Sequence, residues 1–234
     1  MALKTTALRL FSIVSLAVFL GAGRLDAQVK ENLDLPFDAV GDSEDEEEAP
    51  EVVSFYSVNL EGDGFFYVID KSGSMTEQGE LARAKQECLK NLREFSNRVW
   101  FGIVFFDGNV SKFPSNGQPA RADPAMKQQA SSFVQAAARE ARGSCCKEGL
   151  LAGLKMANMS KPRRKVLVYL GDGGTNCGGV DPSQYMRETL SAVLGANYQR
   201  CKINTIGVLD VRPENENFLK QLAAQNAGTY TRIN

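Results

Sequence analysis

Phe65-Phe-Tyr-Val-Ile-Asp70-Lys-Ser72-Gly-Ser74 is the stretch on which the fold turns. Its first half is continuously apolar, as a strand buried on both faces of a parallel sheet must be. Its second half sets a carboxylate and two hydroxyls at alternate positions, with Gly73 loosening the backbone so that these hard oxygen donors can converge. Ligands of open parallel sheets bind beyond the carboxyl ends of the strands, so this loop lies where a site would form.

A second run, Val166 to Leu170, ends in Gly171-Asp172-Gly-Gly and brings another carboxylate to the same edge of the sheet. If the two strands are neighbours across the point where strand order reverses, their loops face one crevice and can share an ion. Val99 to Phe106, Ile203 to Val208 and a weaker run at Thr229 to Ile233 supply further strands. Asn109 to Phe113, joined through Asp107-Gly108 and stopped by Pro114, reads as a hairpin edge strand. Between the first two long strands, Leu81, Ala84, Cys88, Leu89, Leu92 and Phe95 recur at helical spacing over Glu80 to Phe95. Further helices are expected at Pro124 to Arg142, Gly149 to Met159, Ser183 to Leu194 and Glu216 to Gln225, the third opened by Asp181-Pro182. The alternation predicts an α/β chain: a Rossmann-like, doubly wound, mostly parallel six-stranded sheet with one short antiparallel edge strand and helices on both faces.

Outside that unit the composition changes. Lys4 and Arg9 precede an apolar run from Leu10 to Leu20, the pattern of an export signal, with cleavage expected after Ala27. The run is short for a membrane span, so membrane attachment is expected only if the signal stays uncleaved. Residues 28–51 hold ten acidic side chains against Lys30 alone, a net −9, and read as a disordered acidic linker. The folded domain is then 52–234, with a net charge of +6. The expected location is exported: periplasmic, cell-envelope or extracellular.

Several functions are disfavoured. Lys161-Pro-Arg-Arg-Lys165 is the one tight basic cluster, and it reads as a solvated turn between helix and strand rather than a nucleic-acid surface. Gly171 to Gly179 has neither dinucleotide spacing nor a G-K-S/T ending. The chain has no histidine, which removes Ser-His and Cys-His catalysis. A haloacid-dehalogenase-type phosphohydrolase would need a second aspartate where Ser72 stands. The five cysteines form no C-x-x-C pair, so no zinc ribbon is expected, and Cys88 reads as a small buried hydrophobe. Cys145, Cys146 and Cys177 fall in the two loops expected to surround the ion. A bridge from Cys177 to one of the vicinal pair would stiffen the site; the alternative is free, partly buried thiols.

Asp70-Lys-Ser72-Gly-Ser74 matches the D-x-S-x-S motif of von Willebrand factor A-type domains with a metal-ion-dependent adhesion site, and the chain resembles that family over about 180 residues. Ile203-Asn-Thr-Ile-Gly207 and Ala227-Gly-Thr-Tyr230 are phrases of the same kind. The family's further hydroxyl, usually a threonine of a Gly-Thr pair, falls here on Gly143-Ser144. The resemblance implies a metal set of Asp70, Ser72, Ser74, Ser144 and Asp172, with Ser72 and Ser74 binding directly, the aspartates acting through water, and a partner's carboxylate completing an octahedron. Neutral hydroxyls and water-separated carboxylates leave the cation under-neutralised, which is why an acidic partner is drawn in. Magnesium suits such a site, and manganese or calcium can replace it.

The expected function is therefore a non-enzymatic binding or adhesion module, with no catalytic or organic-cofactor residues, that engages a carboxylate on a protein or polymer. Lys71, Met75, Thr76, Glu77, Thr175 and Asn176 would frame that contact as exposed loop residues. Alternatives are a structural envelope domain whose metal site is internally occupied or vestigial, and, more remotely, a Mg-dependent phosphohydrolase. Taken alone, Asp-Lys-Ser-Gly-Ser is also compatible with a plain Asx turn after a strand.

Overall fold

The computed structural model describes residues 48–233; the expected signal at 1–27 and the linker up to residue 47 lie outside the described residues. The linker's last residues are described, and they belong to the domain. Strand β1 (Glu51–Phe55) starts one residue before the expected boundary. Ahead of it, Glu48 pairs with Arg98, and Glu51 lies 3.2 Å from the Arg98 Nε.

β1 and β2 (Val58–Gly62) make a hairpin that sequence reasoning did not anticipate. Its two-residue turn is Tyr56-Ser57, and both residues have positive φ, 52° and 60°, a conformation usually left to Asn-Gly or Asp-Gly. Tertiary contacts hold it there: Phe55 and Tyr56 are buried, and the Tyr56 hydroxyl donates to Glu80 at 2.6 Å. Ser57 is exposed and has no such support. Ser57→Gly should therefore stabilise the domain by about 1 kcal/mol in a urea titration, because the left-handed cost disappears. A loss of stability would mean that Ser57 is held by interactions in the turn.

The main sheet comprises β3 (Gly64–Asp70), β4 (Trp100–Phe106), β5 (Val110–Phe113), β6 (Ala120–Arg121), β7 (Lys165–Gly171), β8 (Lys202–Gly207) and β9 (Tyr230–Arg232). Its order is β5-β4-β3-β7-β8-β9, with β6 paired to the start of β4. β3, β4, β7, β8 and β9 run parallel and β5 is the antiparallel edge, so the expected six strands are present and the two-residue β6 makes a seventh.

β3 shows why the strands read as continuous apolar runs. Phe65, Tyr67 and Ile69 enter one core, while Phe66 and Val68 enter the other. The first core is closed by the hairpin and by α2 (Glu80–Glu94) and α3 (Pro124–Ala136), the second by α4 (Cys146–Met159), α5 (Pro182–Ala196) and α6 (Pro213–Ala224). A short helix, α1 (Gly73–Glu77), follows β3 directly and was not expected.

α3 corrects the sequence reading. Residues 137–142 are mostly alanine and arginine, good helix formers, yet the helix stops at Ala136. Lys85 takes the carbonyls of Gln135 and Ala137 at 2.6 and 2.9 Å, and Asp107 accepts the N–H groups of Glu140 and Ala141 at 2.7 and 2.8 Å. These tertiary partners replace the next helical turn. The basic cluster is a turn between α4 and β7 as expected, but only part of it is solvated: Arg164 binds Asp63 at 2.6 Å and Lys165 is buried beside Gln199.

Candidate metal centre

β3 lies between β4 and β7, and the sheet order reverses between β3 and β7, so the loops after these two strands open onto one crevice. Asp70 ends β3 and Asp172 follows β7. The Asp70 carboxylate is fully buried. Its Oδ1 accepts the Ser72 N–H at 2.7 Å and its Oδ2 accepts the Ser144 hydroxyl at 3.2 Å. The Ser72 and Ser74 hydroxyl oxygens stand 3.3 Å apart. Asp172 turns on itself, its Oδ1 accepting the Gly174 N–H at 2.8 Å. Ser72, Ser74, Ser144 and Asp172 line one cleft of about 700 Å³ that continues towards the starts of α5 and α6. The structure thus brings all five sequence-selected residues together.

The loop of Ser144 reaches the site through β-bridge bonds with Asn176, N–H to carbonyl at 2.9 and 3.2 Å in the two directions. Beside that bridge a disulfide joins Cys145 to Cys177, with Cα atoms 4.9 Å apart. Of the vicinal pair, Cys145 is thus the partner; Cys146 begins α4 and turns into the second core as a buried thiol, and Cys88 and Cys201 are buried thiols too.

The electrostatics favour a cation. Burial raises the Asp70 carboxyl to about 7, helped by Asp172 and opposed by the hydrogen bonds from Ser72 and Ser144. Among the described residues, no basic side chain pairs with Asp70. Lys71, its neighbour, faces away: its Nζ is 2.7 Å from Glu140 Oε1 and 3.9 Å from Asp107 Oδ2, although neither contact is aligned as a hydrogen bond. Burial alone would push the Asp107 carboxyl up, but N–H groups of Ala141, Asn109 and Glu140, with Lys71, hold it below the usual range. A buried carboxylate lacking a counter-charge, surrounded by hydroxyls, is a donor set suited to a hard divalent ion.

Three of the six residues expected to frame the site as exposed groups are buried: Lys71, Met75 and Thr175. The Lys71 N–H is fixed to the Phe106 carbonyl at 2.7 Å and its side chain enters the Asp107–Glu140 cluster. Met75 is carried inward by α1. The Thr175 hydroxyl is buried without a partner, as is that of Tyr169. Sequence reasoning also missed Arg139. An ideal Cβ on Gly73 would stand 2.9 Å from its Nη1, so the guanidinium rests against the backbone between Ser72 and Ser74, and it faces Glu77 at 3.4 Å. A Cβ at Gly73 would make that guanidinium shift, a contact the motif alone does not reveal.

The sequence matches no family model and no curated relative. Solved structures are similar in fold. A von Willebrand factor type A protein from Catenulispora acidiphila superposes with a TM-score of 0.62 at 17% identity, over 80% of this chain and 46% of that one. An aerotolerance-related membrane protein from Bacteroides fragilis gives 0.52 at 19% identity, over 74% of this chain and 92% of its own. The pilus adhesin SpaC from Lactobacillus rhamnosus GG, in an open conformation, gives 0.57 at 14% identity, over 80% and 28%. The chain therefore spans about half of the first of these proteins and a little over a quarter of the adhesin. It has the von Willebrand factor A fold. Among the described residues, no helix is long and apolar enough to cross a membrane.

Proposed function

We propose that this chain is an exported, non-enzymatic adhesion-type module that holds a divalent cation and uses it to grip a carboxylate on a partner protein or polymer. The observation that carries the reading is the fully buried, uncompensated Asp70 carboxylate beneath a cleft rimmed by Ser72, Ser74, Ser144 and Asp172. The ion is Mg²⁺, with Mn²⁺ or Ca²⁺ able to replace it. When bound it supplies a Lewis-acidic centre that attracts an anionic group. Asp70 fixes the backbone of Ser72 and orients the Ser144 hydroxyl, so it organises the donors as well as charging them. The disulfide and the bridge to Asn176 keep the Ser144 and Asp172 loops at a set separation.

Adhesin and membrane-protein neighbours support a surface or envelope role, and the export pattern of residues 1–27 agrees with it. The role assigned to the ion is grip rather than catalysis, since Ser72 stands where a phosphohydrolase would place a second aspartate.

The test is isothermal titration of Mg²⁺ and Mn²⁺ into the chelator-treated protein, with an Asp70→Ala, Ser72→Ala double variant alongside. One saturable site in the wild type, lost in the variant, is expected, together with chelator-sensitive retention on a carboxylate-bearing polymer. Absence of binding at millimolar ion, with and without that polymer, would overturn the reading.

A further inference from the structure

A second cluster of donors lies beside the first and differs from it in chemistry. The Cys145 and Cys177 sulfurs and a Glu148 carboxylate oxygen all stand within 4.8 Å of one another. Glu148 is one turn into α4, whose N-cap is Cys145. It is already oriented by a chain of hydrogen bonds: the Tyr185 hydroxyl donates to its Oε2 at 2.5 Å and accepts the Lys147 N–H at 3.1 Å. Outer partners of this kind are what hold a metal-ligating carboxylate in place.

We propose that, when the Cys145–Cys177 bridge is reduced, Cys145, Cys177 and Glu148 form a site for a thiophilic divalent cation, Zn²⁺ being the class. A dithiol reductant supplies two electrons and two protons, the S–S bond breaks into two thiols, and the reductant leaves as its own disulfide. Binding of Zn²⁺ then displaces the two thiol protons to solvent. Zinc–sulfur bonds of about 2.3 Å require the sulfurs to lie within roughly 3.8 Å, which two cysteines with Cα atoms 4.9 Å apart can reach by side-chain rotation. The fourth tetrahedral position is open to water. Thiolates select a softer ion than the hydroxyls and carboxylates around Asp70, so the two sites do not compete and this one does not rest on the other. In a reducing setting the zinc replaces the covalent link, and the Ser144 and Asp172 loops stay joined.

The probe is Co²⁺, titrated into the full chain in its oxidised form and after anaerobic reduction with dithiothreitol and desalting. The reduced protein should bind one Co²⁺ with thiolate-to-metal charge-transfer absorption in the near ultraviolet, which Zn²⁺ then bleaches by displacement; the oxidised protein should show no such band. Cys177→Ser, a change at a half-buried loop position, should remove most of the band, and Glu148→Gln should weaken binding at least tenfold. No band in the reduced wild type, or a band unchanged in Cys177→Ser and so arising from the buried thiols, would overturn the proposal.

Discussion

Asp70→Asn should abolish divalent-ion binding and, at the same time, make the metal-free domain more stable at pH 8. Asparagine keeps the acceptor for the Ser72 N–H and a polar atom facing the Ser144 hydroxyl, so the loop geometry survives while the buried charge is removed. The same charge gives the wild type a distinctive pH profile. The Asp70 carboxyl is raised from 3.8 to about 7 on folding, so between those values the native state keeps a proton that the unfolded chain has released. The stabilisation from that retained proton is fully present below about pH 4 and is lost as pH rises to about 7, at a slope of about 1.4 kcal/mol per pH unit and a total on the order of 4 kcal/mol. The chain has no histidine to obscure the window between about pH 5.5 and 7. Urea titrations of the chelator-treated protein should show stability falling across that window, flat behaviour in Asp70→Asn, and recovery of the wild type at pH 8 with saturating Mg²⁺. A flat wild-type profile would mean that Asp70 is ionised without a cation, and the electrostatic argument for the site would go with it.

Gly228→Ala should be the most damaging single methyl group in the domain, costing about 3 kcal/mol or more. Its Cβ would stand 1.7 Å from the Ile203 carbonyl oxygen and 3.0 Å from the Asn204 nitrogen, so backbone meets backbone and no side chain can yield. The affected chain docks β9 on β8: the Ile203 N–H donates to the Asn226 carbonyl at 3.2 Å and the Thr229 N–H to Asn204 Oδ1 at 3.0 Å. Gly195→Ala is the control. It lies near the end of α5 with nothing within 4 Å of the added carbon, and should stabilise by about 0.5 to 1 kcal/mol. Denaturant midpoints moving in the same direction for both variants would refute the steric account.

The sheet was legible because strands buried on both faces must be apolar throughout, as Phe65 to Ile69 and Val166 to Leu170 are. Four of the five oxygen-bearing residues, Asp70, Ser72, Ser74 and Asp172, could be picked out for a related reason, whereas Ser144 was pointed to only by the family resemblance. Asp70 and Asp172 close such strands, and the ends of central parallel strands converge. What escaped was structure imposed from a distance. Tyr56-Ser57 carries no turn signal of its own and is bent by the packing of Phe55, Tyr56 and Glu80. The segment 137–142 has helical composition, but Lys85, Lys71 and Asp107, more than thirty residues away in sequence, claim its polar groups. Lys71 was misjudged for the same reason, since a lysine inside a polar loop gives no local hint that its charge belongs in the interior.

The hairpin also bears on how the molecule takes a pull. The described domain starts at Glu48, against Arg98 and Arg164, which precede β4 and β7, whereas Asp70 and Asp172 close β3 and follow β7. A load applied between the crevice and Glu48 would therefore run along the strand axes. β3, β4 and β7 meet it in shear, with their ladders stretched together. The β1–β2 pair meets it as a zipper, because Glu51 and Gly62 lie side by side at its open end and part first. Under such a load the pair would open first and lengthen the chain by roughly 35 Å before the ladders of β3, β4 and β7 shear.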